Sequence, residues 1–232
     1  MNVIGFDTAT DDTVVAATRD GEAVYETLHG PGPDGRPVHS GVLLTSVNEA
    51  AEALGGWPEV ARLAVGTGPG TFTGIRIGLS TATGLSLSTG VELAAVSTLE
   101  ALALPMKGDQ PVLAVLDARR GEVFAALYRE DGSEEWSPFA ASPAQLLSKL
   151  EALDTTPKVG GPGAVRFMDE LTRAGVKIAA PEAGIHRLSG RSVCDLGVLA
   201  TRAGQTNPLE PTYLRLPDAQ IWLQRDRDPN GP

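Results

Sequence analysis

The sequence predicts an α/β protein that is built as two similar lobes. Strand and helix patterns alternate along the chain, as they do in α/β units. Two landmarks occur in the same order in each half: a strand that ends on an aspartate and leads to an Asp-Gly turn, and then a strand that runs into Gly-Pro-Gly and a helix. They lie at Asp7, Asp20-Gly21 and residues 68–70 in the first half, and at Asp117, Asp131-Gly132 and residues 161–163 in the second. Their repetition predicts a duplicated fold.

Residues 1–105 form the predicted first lobe. β-forming residues and the Asp20-Gly21 turn predict three strands, at residues 3–6, 13–18 and 23–28. Apolar residues at helical spacing predict a helix over residues 40–54. The lobe is completed by the strand "RLAVG", a glycine-rich turn, a helix over residues 73–88, the strand "VELAAV" and a short helix from Ser97.

Residues 106–218 form the predicted second lobe. A helical pattern runs over residues 189–204, and the segment "PTYLR" follows it. Residues 219–232 are rich in charged and turn-forming residues, which predicts a solvated, flexible tail.

Charge and composition exclude several classes of protein. The formal net charge is -10, so the summed field of the chain repels the phosphate backbone of nucleic acids. Cys194 is the only cysteine, which excludes an internal disulfide and a cysteine-rich metal cluster. The chain contains no run of about 18 apolar residues, and no basic segment precedes an apolar one at its N-terminus. We therefore expect a cytoplasmic protein with no membrane segment and no unaided binding of nucleic acid.

The stretch "GTGPGTFTGIRIG", residues 66–78, has two interpretations. A glycine-rich turn between a strand and a helix can bind phosphate through its backbone N–H groups, but its spacing matches neither the Walker loop nor the dinucleotide fingerprint. The other interpretation is close packing, because the helix from Thr73 has a ridge of small residues with apolar neighbours: Gly74, Gly78, Ala82 and Ser86, beside Ile75 and Leu79. The ridge predicts a close neighbour, which is either the helix over residues 40–54 or a helix of another protein.

Asp7 and Asp117 each end the first strand of a lobe, where two-lobed sugar kinases and actin-like ATPases have carboxylates that face magnesium and phosphate. An ordinary turn aspartate after a strand explains them equally well. The nucleotide interpretation adds Thr8, Gly68 and Gly70 as possible contacts. Metal catalysis is not expected, because a second ligand on the helix face of His39 would stand four residues later, where the chain has Leu43.

Five stretches together resemble the TsaB family, also called YeaZ: "IGFDTATDDTVVAA", "RPVHSGVLLTSVNEA", "VGTGPGTFTGIRIGLSTATGLS", "LDARRGEVFAALY" and "PTYLR". The resemblance runs from about Val3 to Arg215. It implies the two-lobed fold of actin, Hsp70 and sugar kinases (the ASKHA fold) and a protein that is not itself the catalyst. It implies instead a partner subunit in bacterial threonylcarbamoyl-adenosine modification of tRNA, which binds a TsaD-like carbamoyltransferase and a TsaE-like ATPase.

The resemblance also implies the surface that binds these partners. Members of the family pack their first-lobe helices against TsaD as a helical bundle, and a similar surface forms a homodimer when the protein is alone. Carried onto this sequence, the interface residues are Leu43, Val47, Ala50, Gly74, Ile75, Gly78, Leu79, Ala82 and Ser86. No tightly bound cofactor is expected, ATP or ADP is expected at a subunit junction, and tRNA is expected to bind only through the complex. The alternative is an enzyme of the same fold, either a glycoprotease-like protein or an ATP-dependent transferase.

Overall fold

The computed structural model describes residues 1–202 and 209–215. The tail predicted at residues 219–232 lies outside the described residues, and so do the last two residues of the helix predicted over residues 189–204. Among the described residues, no helix is both long enough and apolar enough to cross a bilayer.

Two mixed β-sheets form the framework of the fold. The first sheet has the order β3-β2-β1-β4-β5, with strands β1 (Asn2–Asp7), β2 (Thr13–Arg19), β3 (Glu22–His29), β4 (Arg62–Gly66) and β5 (Glu92–Val96). The second has the order β8-β7-β6-β9, with strands β6 (Val112–Arg119), β7 (Glu122–Tyr128), β8 (Glu134–Ala141) and β9 (Lys158–Gly160). β1 and β6 each pair with one antiparallel and one parallel neighbour. The predicted duplication is therefore confirmed.

The helices form three layers around and between these sheets. In the described part of the chain they are α1 (His39–Leu54), α2 (Phe72–Thr89), α3 (Thr98–Ala103), α4 (Pro143–Glu151), α5 (Pro162–Arg166), α6 (Met168–Arg173) and α7 (Gly190–Arg202). α1 and α2 pack on the outer face of the first sheet, and α4, α5 and α6 pack on the outer face of the second. α3 and α7 lie in a shared core between the two sheets.

α7 packs on the first sheet, although its sequence falls in the predicted second lobe at residues 106–218. Glycines on both sides allow this close approach: an added Cβ at Gly5 of β1 would lie 2.6 Å from the backbone nitrogen of Cys194, and one at Gly197 would overlap Ala64. Burial in this contact raises the pKa of the Cys194 thiol to about 12, so the thiolate that would make it reactive does not form near neutral pH. α7 therefore contacts the first sheet although it follows the second sheet in sequence. The predicted boundary between the lobes stays a prediction.

Candidate functional site

The glycine-rich turn before α2 uses its polar groups inside the chain. Gly68 has a φ of +100°, a left-handed backbone that favours glycine. Its N–H donates to Oγ1 of Thr98 at 3.2 Å, and its carbonyl oxygen accepts from the N–H of Thr98 at 2.9 Å. Thr71 then begins α2 as its N-cap, because its Oγ1 accepts from the N–H of Gly74 at 3.3 Å. Gly68 therefore has no backbone group left for a phosphate.

The glycine ridge of α2 packs on the end of β1. An added Cβ at Gly74 would overlap the carbonyl oxygen of Thr8, and one at Gly78 would lie 2.7 Å from Oγ1 of Thr8 and 3.6 Å from the Phe6 ring. The buried Thr8 hydroxyl donates to the carbonyl oxygen of Gly74 at 2.7 Å. Close packing is therefore the function of these glycines. The prediction named α1 or another protein as the neighbour of these glycines. Their neighbour is instead the end of the first strand of the same chain.

Most of the residues predicted at a partner interface are buried in the core of this chain: Leu43, Val47, Ala50, Gly74, Ile75, Gly78 and Ala82. In the isolated chain these positions pack against the chain's own sheet, and only Leu43 also borders the groove described below. Direct contact of the other six with a partner is therefore not expected. The physical reason is that the apolar stripe of a helix is the face that packs on its own sheet. Leu79 and Ser86 are half-buried, and the Ser86 hydroxyl donates to the carbonyl oxygen of Val91 at 2.7 Å. Their contact with a partner stays a prediction.

The outward faces of α1 and α2 border an apolar groove of about 810 Å³. Its apolar walls include Leu43, Leu44, Phe72, Ile77, Gly84 and Leu85. Leu44 is 52% exposed, and Leu87, farther along α2, is 84% exposed. A groove with exposed leucines on its two helices is the kind of apolar surface that binds another protein.

Asp7 is fully buried, and its carboxylate is hydrogen-bonded inside the chain. Oδ1 accepts from the N–H of Ala9 at 2.6 Å, and Oδ2 accepts from the Thr98 hydroxyl at 2.6 Å. Gly66 lies so close that an added Cβ would overlap the carboxyl group. Burial raises the pKa of Asp7 from 3.8 to about 6, although both hydrogen bonds act in the opposite direction.

The predicted nucleotide contacts do not form one accessible site. Asp7, Thr8 and Gly68 are buried, with their polar groups bonded within the chain, so the prediction is corrected for these three. Gly70 is half-buried and lines the cleft between the lobes. The expectation of ATP or ADP at a subunit junction stays a prediction.

The buried Asp7 predicts a pH dependence of stability. Because its pKa is raised from 3.8 to about 6, its contribution to folding is fully present below about pH 4 and is lost as the pH rises through 6. Two pKa units correspond to about 3 kcal/mol. Asp7→Asn stays neutral and can still accept from Ala9. We expect the free energy of unfolding of the variant, minus that of the wild type, to increase by about 3 kcal/mol from pH 4 to pH 8 in urea denaturation.

The subtraction in this experiment removes the effect of other groups. Among them is His39, whose pKa is lowered by burial, so its own effect on stability has the opposite sign. If the difference between Asp7→Asn and the wild type does not change with pH, the pKa of Asp7 is the same in the folded and the unfolded protein. That result would contradict the prediction.

Paired charges line the cleft between the two lobes, a cavity of about 400 Å³. The pairs are Asp11 with Arg119 (Oδ2 to Nη2, 2.6 Å), Asp12 with Arg187 (3.2 Å) and Asp117 with Arg166 (2.7 Å). The first pair joins the loop after β1 to the last residue of β6, and so connects the lobes. Asp117 is thus neutralised by arginine. No local pattern in the sequence signals these pairs, since Asp11 and Arg119 are 108 positions apart.

His39 is buried at the first position of α1. Its Nδ1 lies 2.7 Å from Oγ1 of Thr13, and burial lowers its pKa. Leu43, one turn later, packs in the core. Within residues 1–202 and 209–215, no three histidine, cysteine, aspartate or glutamate side chains lie together as ligands of a metal ion would. The contact of His39 with Thr13 holds the start of α1 against β2.

Comparison with known proteins places these features in a family. A protein-family model described as TsaD, tRNA N6-adenosine threonylcarbamoyltransferase, matches residues 36–200. The tRNA threonylcarbamoyladenosine biosynthesis protein TsaB of Escherichia coli is 35% identical over 140 residues, which cover 59% of this chain and 58% of that protein. TsaB of Haemophilus influenzae is 28% identical over 231 residues, which cover 93% of this chain and 94% of that protein.

The solved structures extend the match to the whole fold. A Pseudomonas aeruginosa protein described as similar to the peptidase YeaZ superposes with a TM-score of 0.74 at 26% identity, over 92% of this chain and 99% of that one. The two duplicated sheets and this superposition confirm the predicted ASKHA fold. The family model covers well over half of the chain, and the two TsaB relatives and the YeaZ-like structure agree with it. The chain therefore belongs to the TsaB (YeaZ) family, within the wider group of proteins that the TsaD model describes.

Proposed function

We propose that this chain is the non-catalytic partner subunit of tRNA threonylcarbamoyladenosine biosynthesis. In this role it binds and activates a TsaD-like carbamoyltransferase, together with a TsaE-like ATPase. The relatives from E. coli and H. influenzae are named as biosynthesis proteins of this modification. The observation that carries the proposal is the apolar groove between α1 and α2. It offers an apolar surface for another protein on the two helices that the resemblance implies as the interface.

The groove supplies the free energy for such a contact. Full burial of a leucine side chain contributes about 1.5–3 kcal/mol, and Leu44 and Leu87 keep 52% and 84% of their surface exposed in the isolated chain. Covering both would contribute roughly 2–4 kcal/mol. The walls of the groove, among them Ile77 and Leu85, add further apolar area. A partner helix laid between α1 and α2 would complete a helical bundle.

The cleft supports an accessory role for this chain. A carboxylate that acts on phosphate or a carbonyl group must meet its substrate, and Asp7 is buried beneath Gly66 and Thr98. Asp117 is held by Arg166 at 2.7 Å and by Arg119 at 3.4 Å. We infer that the chemistry takes place on the TsaD-like subunit.

The same groove accounts for the proposed homodimer. In the absence of a TsaD-like subunit, a second copy of the chain can cover the groove, which gives a homodimer that competes with the complex.

The net charge of -10 opposes direct binding of tRNA. The tRNA is therefore bound by the complex, with most of its phosphate contacts made by a more basic subunit.

Reconstitution tests the proposed function. The TsaD-like and TsaE-like proteins of the same organism are incubated with tRNA and the substrates of the modification, with and without this chain, and the modified nucleoside is quantified. We expect modification only when this chain is present, and a stable complex with the TsaD-like subunit in gel filtration. Modification that proceeds equally well without this chain would overturn the proposal, and so would modification or steady ATP hydrolysis by this chain alone.

A further inference from the structure

A cluster of Phe72, Arg76 and Tyr213 stands at one end of the groove, where Phe72 and Arg76 line its wall. The guanidinium carbon of Arg76 lies 3.8 Å from the centre of the Phe72 ring. The rings of Phe72 and Tyr213 are 5.2 Å apart at an angle of 34°, and Nε of Arg76 donates to the Tyr213 hydroxyl at 3.3 Å. The guanidinium group is therefore held on one face by a ring and on one edge by a hydroxyl.

The segment around Tyr213 is itself fixed to both lobes. The N–H of Thr212 donates to the carbonyl oxygen of Thr67 in the first lobe at 2.8 Å. Arg215 pairs with Glu122 of β7 in the second lobe at 2.7 Å, and Leu214 packs against the core between the sheets. The "PTYLR" segment thus places the Tyr213 ring on α2 with little freedom to move.

Arg76 differs from the arginines around it in lacking a carboxylate. Arg119, Arg166, Arg187 and Arg215 each form an ion pair. In the part of the chain that the structure describes, Arg76 is exposed, the one hydrogen bond of its side chain is to Tyr213, and no aspartate or glutamate lies within ion-pair distance of it. Its two Nη groups can therefore donate to an external acceptor.

We propose that this cluster is the energetic centre of the contact with the partner subunit, and that Arg76 binds a carboxylate of that partner. The inference rests on the proposed function. Arginine and tyrosine are over-represented among the residues that dominate binding energy at protein interfaces. A guanidinium group that is already held in place loses little freedom on binding, and its two parallel N–H donors match a carboxylate. Tyr213 is a positioning residue, because it acts through Arg76.

Four variants test this assignment through the affinity for the TsaD-like subunit, measured by calorimetry at low and high salt. Arg76→Glu should weaken binding at least about tenfold and reduce its salt dependence. Arg76→Lys keeps the charge but not the paired donors, and should weaken binding several-fold. Tyr213→Phe keeps the ring contact but not the hydroxyl, and should weaken binding less than Arg76→Lys. Arg173→Glu makes the same charge change on the exposed surface of α6 and should leave the affinity within twofold.

The outcomes separate this inference from the proposed function. If the wild type does not bind the TsaD-like subunit, the proposed function fails. If the wild type binds and Arg76→Glu binds equally well, only the role of Arg76 is overturned. An unchanged affinity with lost self-association assigns the arginine to a contact between copies of the chain. If the affinity is unchanged and the Tm is lower, the carboxylate that Arg76 binds belongs to this chain. Lost self-association or a lower Tm, each at unchanged affinity, would therefore also overturn the proposal.

Discussion

Gly78→Leu is expected to lower the Tm of the isolated chain by roughly 2–12 °C. A leucine here would push against Oγ1 of Thr8, only 2.7 Å from an added Cβ, and against the Phe6 ring. Overpacking of this kind costs about 1–3 kcal/mol, and displacement of Thr8 from the carbonyl oxygen of Gly74 costs about 1 kcal/mol more. The better helix propensity of leucine returns only about 0.8 kcal/mol. The net loss of about 1–3 kcal/mol gives this shift in a chain of this size.

Gly84→Leu is the matched control on the same helix. Gly84 is exposed, and an added Cβ there would meet no atom within 4 Å. The same substitution should therefore raise the free energy of unfolding by up to about 0.8 kcal/mol, through helix propensity alone. Thermal unfolding of both variants followed by circular dichroism decides the question. A Gly78→Leu protein as stable as the wild type would mean that the ridge of α2 faces outward.

The elements with local signals could be predicted from the sequence. The Asp20-Gly21 turn, the alternation of strands and helices, and the repeated Gly-Pro-Gly turns each depend on residues close together in the chain, and they led to the first sheet, to α1 and α2 and to the duplication. The position of α7 could not be predicted in this way. It depends on Gly5, which lies against Cys194, and on Gly197, which lies against Ala64. Both contacts join residues that are far apart in the sequence and form only once the chain has folded.

The candidate site was harder to predict because helical periodicity identifies a face but not its neighbour. Leu43 and Leu44 are adjacent in sequence and point about 100° apart on α1. The stripe that contains Leu43 packs on the sheet, whereas Leu44 remains at the rim of the groove. The resemblance pointed to α1 and α2, which border the groove, but the apolar residues chosen on them lie mostly on the side that packs on the sheet. The pairing of Arg76 with Tyr213, across 137 positions, likewise has no local signal.

Leu44→Glu is therefore expected to abolish binding to the TsaD-like subunit while leaving the isolated chain folded. Leu44 is 52% exposed, and exposed substitutions away from special features change stability by about 0.5 kcal/mol or less. In the complex the new carboxylate would be buried in an apolar groove without a partner, which costs about 3 kcal/mol or more. That cost corresponds to a loss of affinity of more than about a hundredfold.

Leu199→Glu provides the matched control for this variant. Leu199 lies on α7 and is 51% exposed, so the two leucines differ in position but hardly in exposure. Both variants are compared with the wild type for Tm, for complex formation with the TsaD-like subunit, and for modified nucleoside in the reconstituted reaction. A Leu44→Glu protein that still forms the complex would move the interface off α1. Equal losses for both variants would point to a general effect of added negative charge on a chain that already carries -10. Loss of complex and modification by Leu44→Glu alone, at unchanged Tm, places the contact at the rim of the groove, on the exposed side of α1.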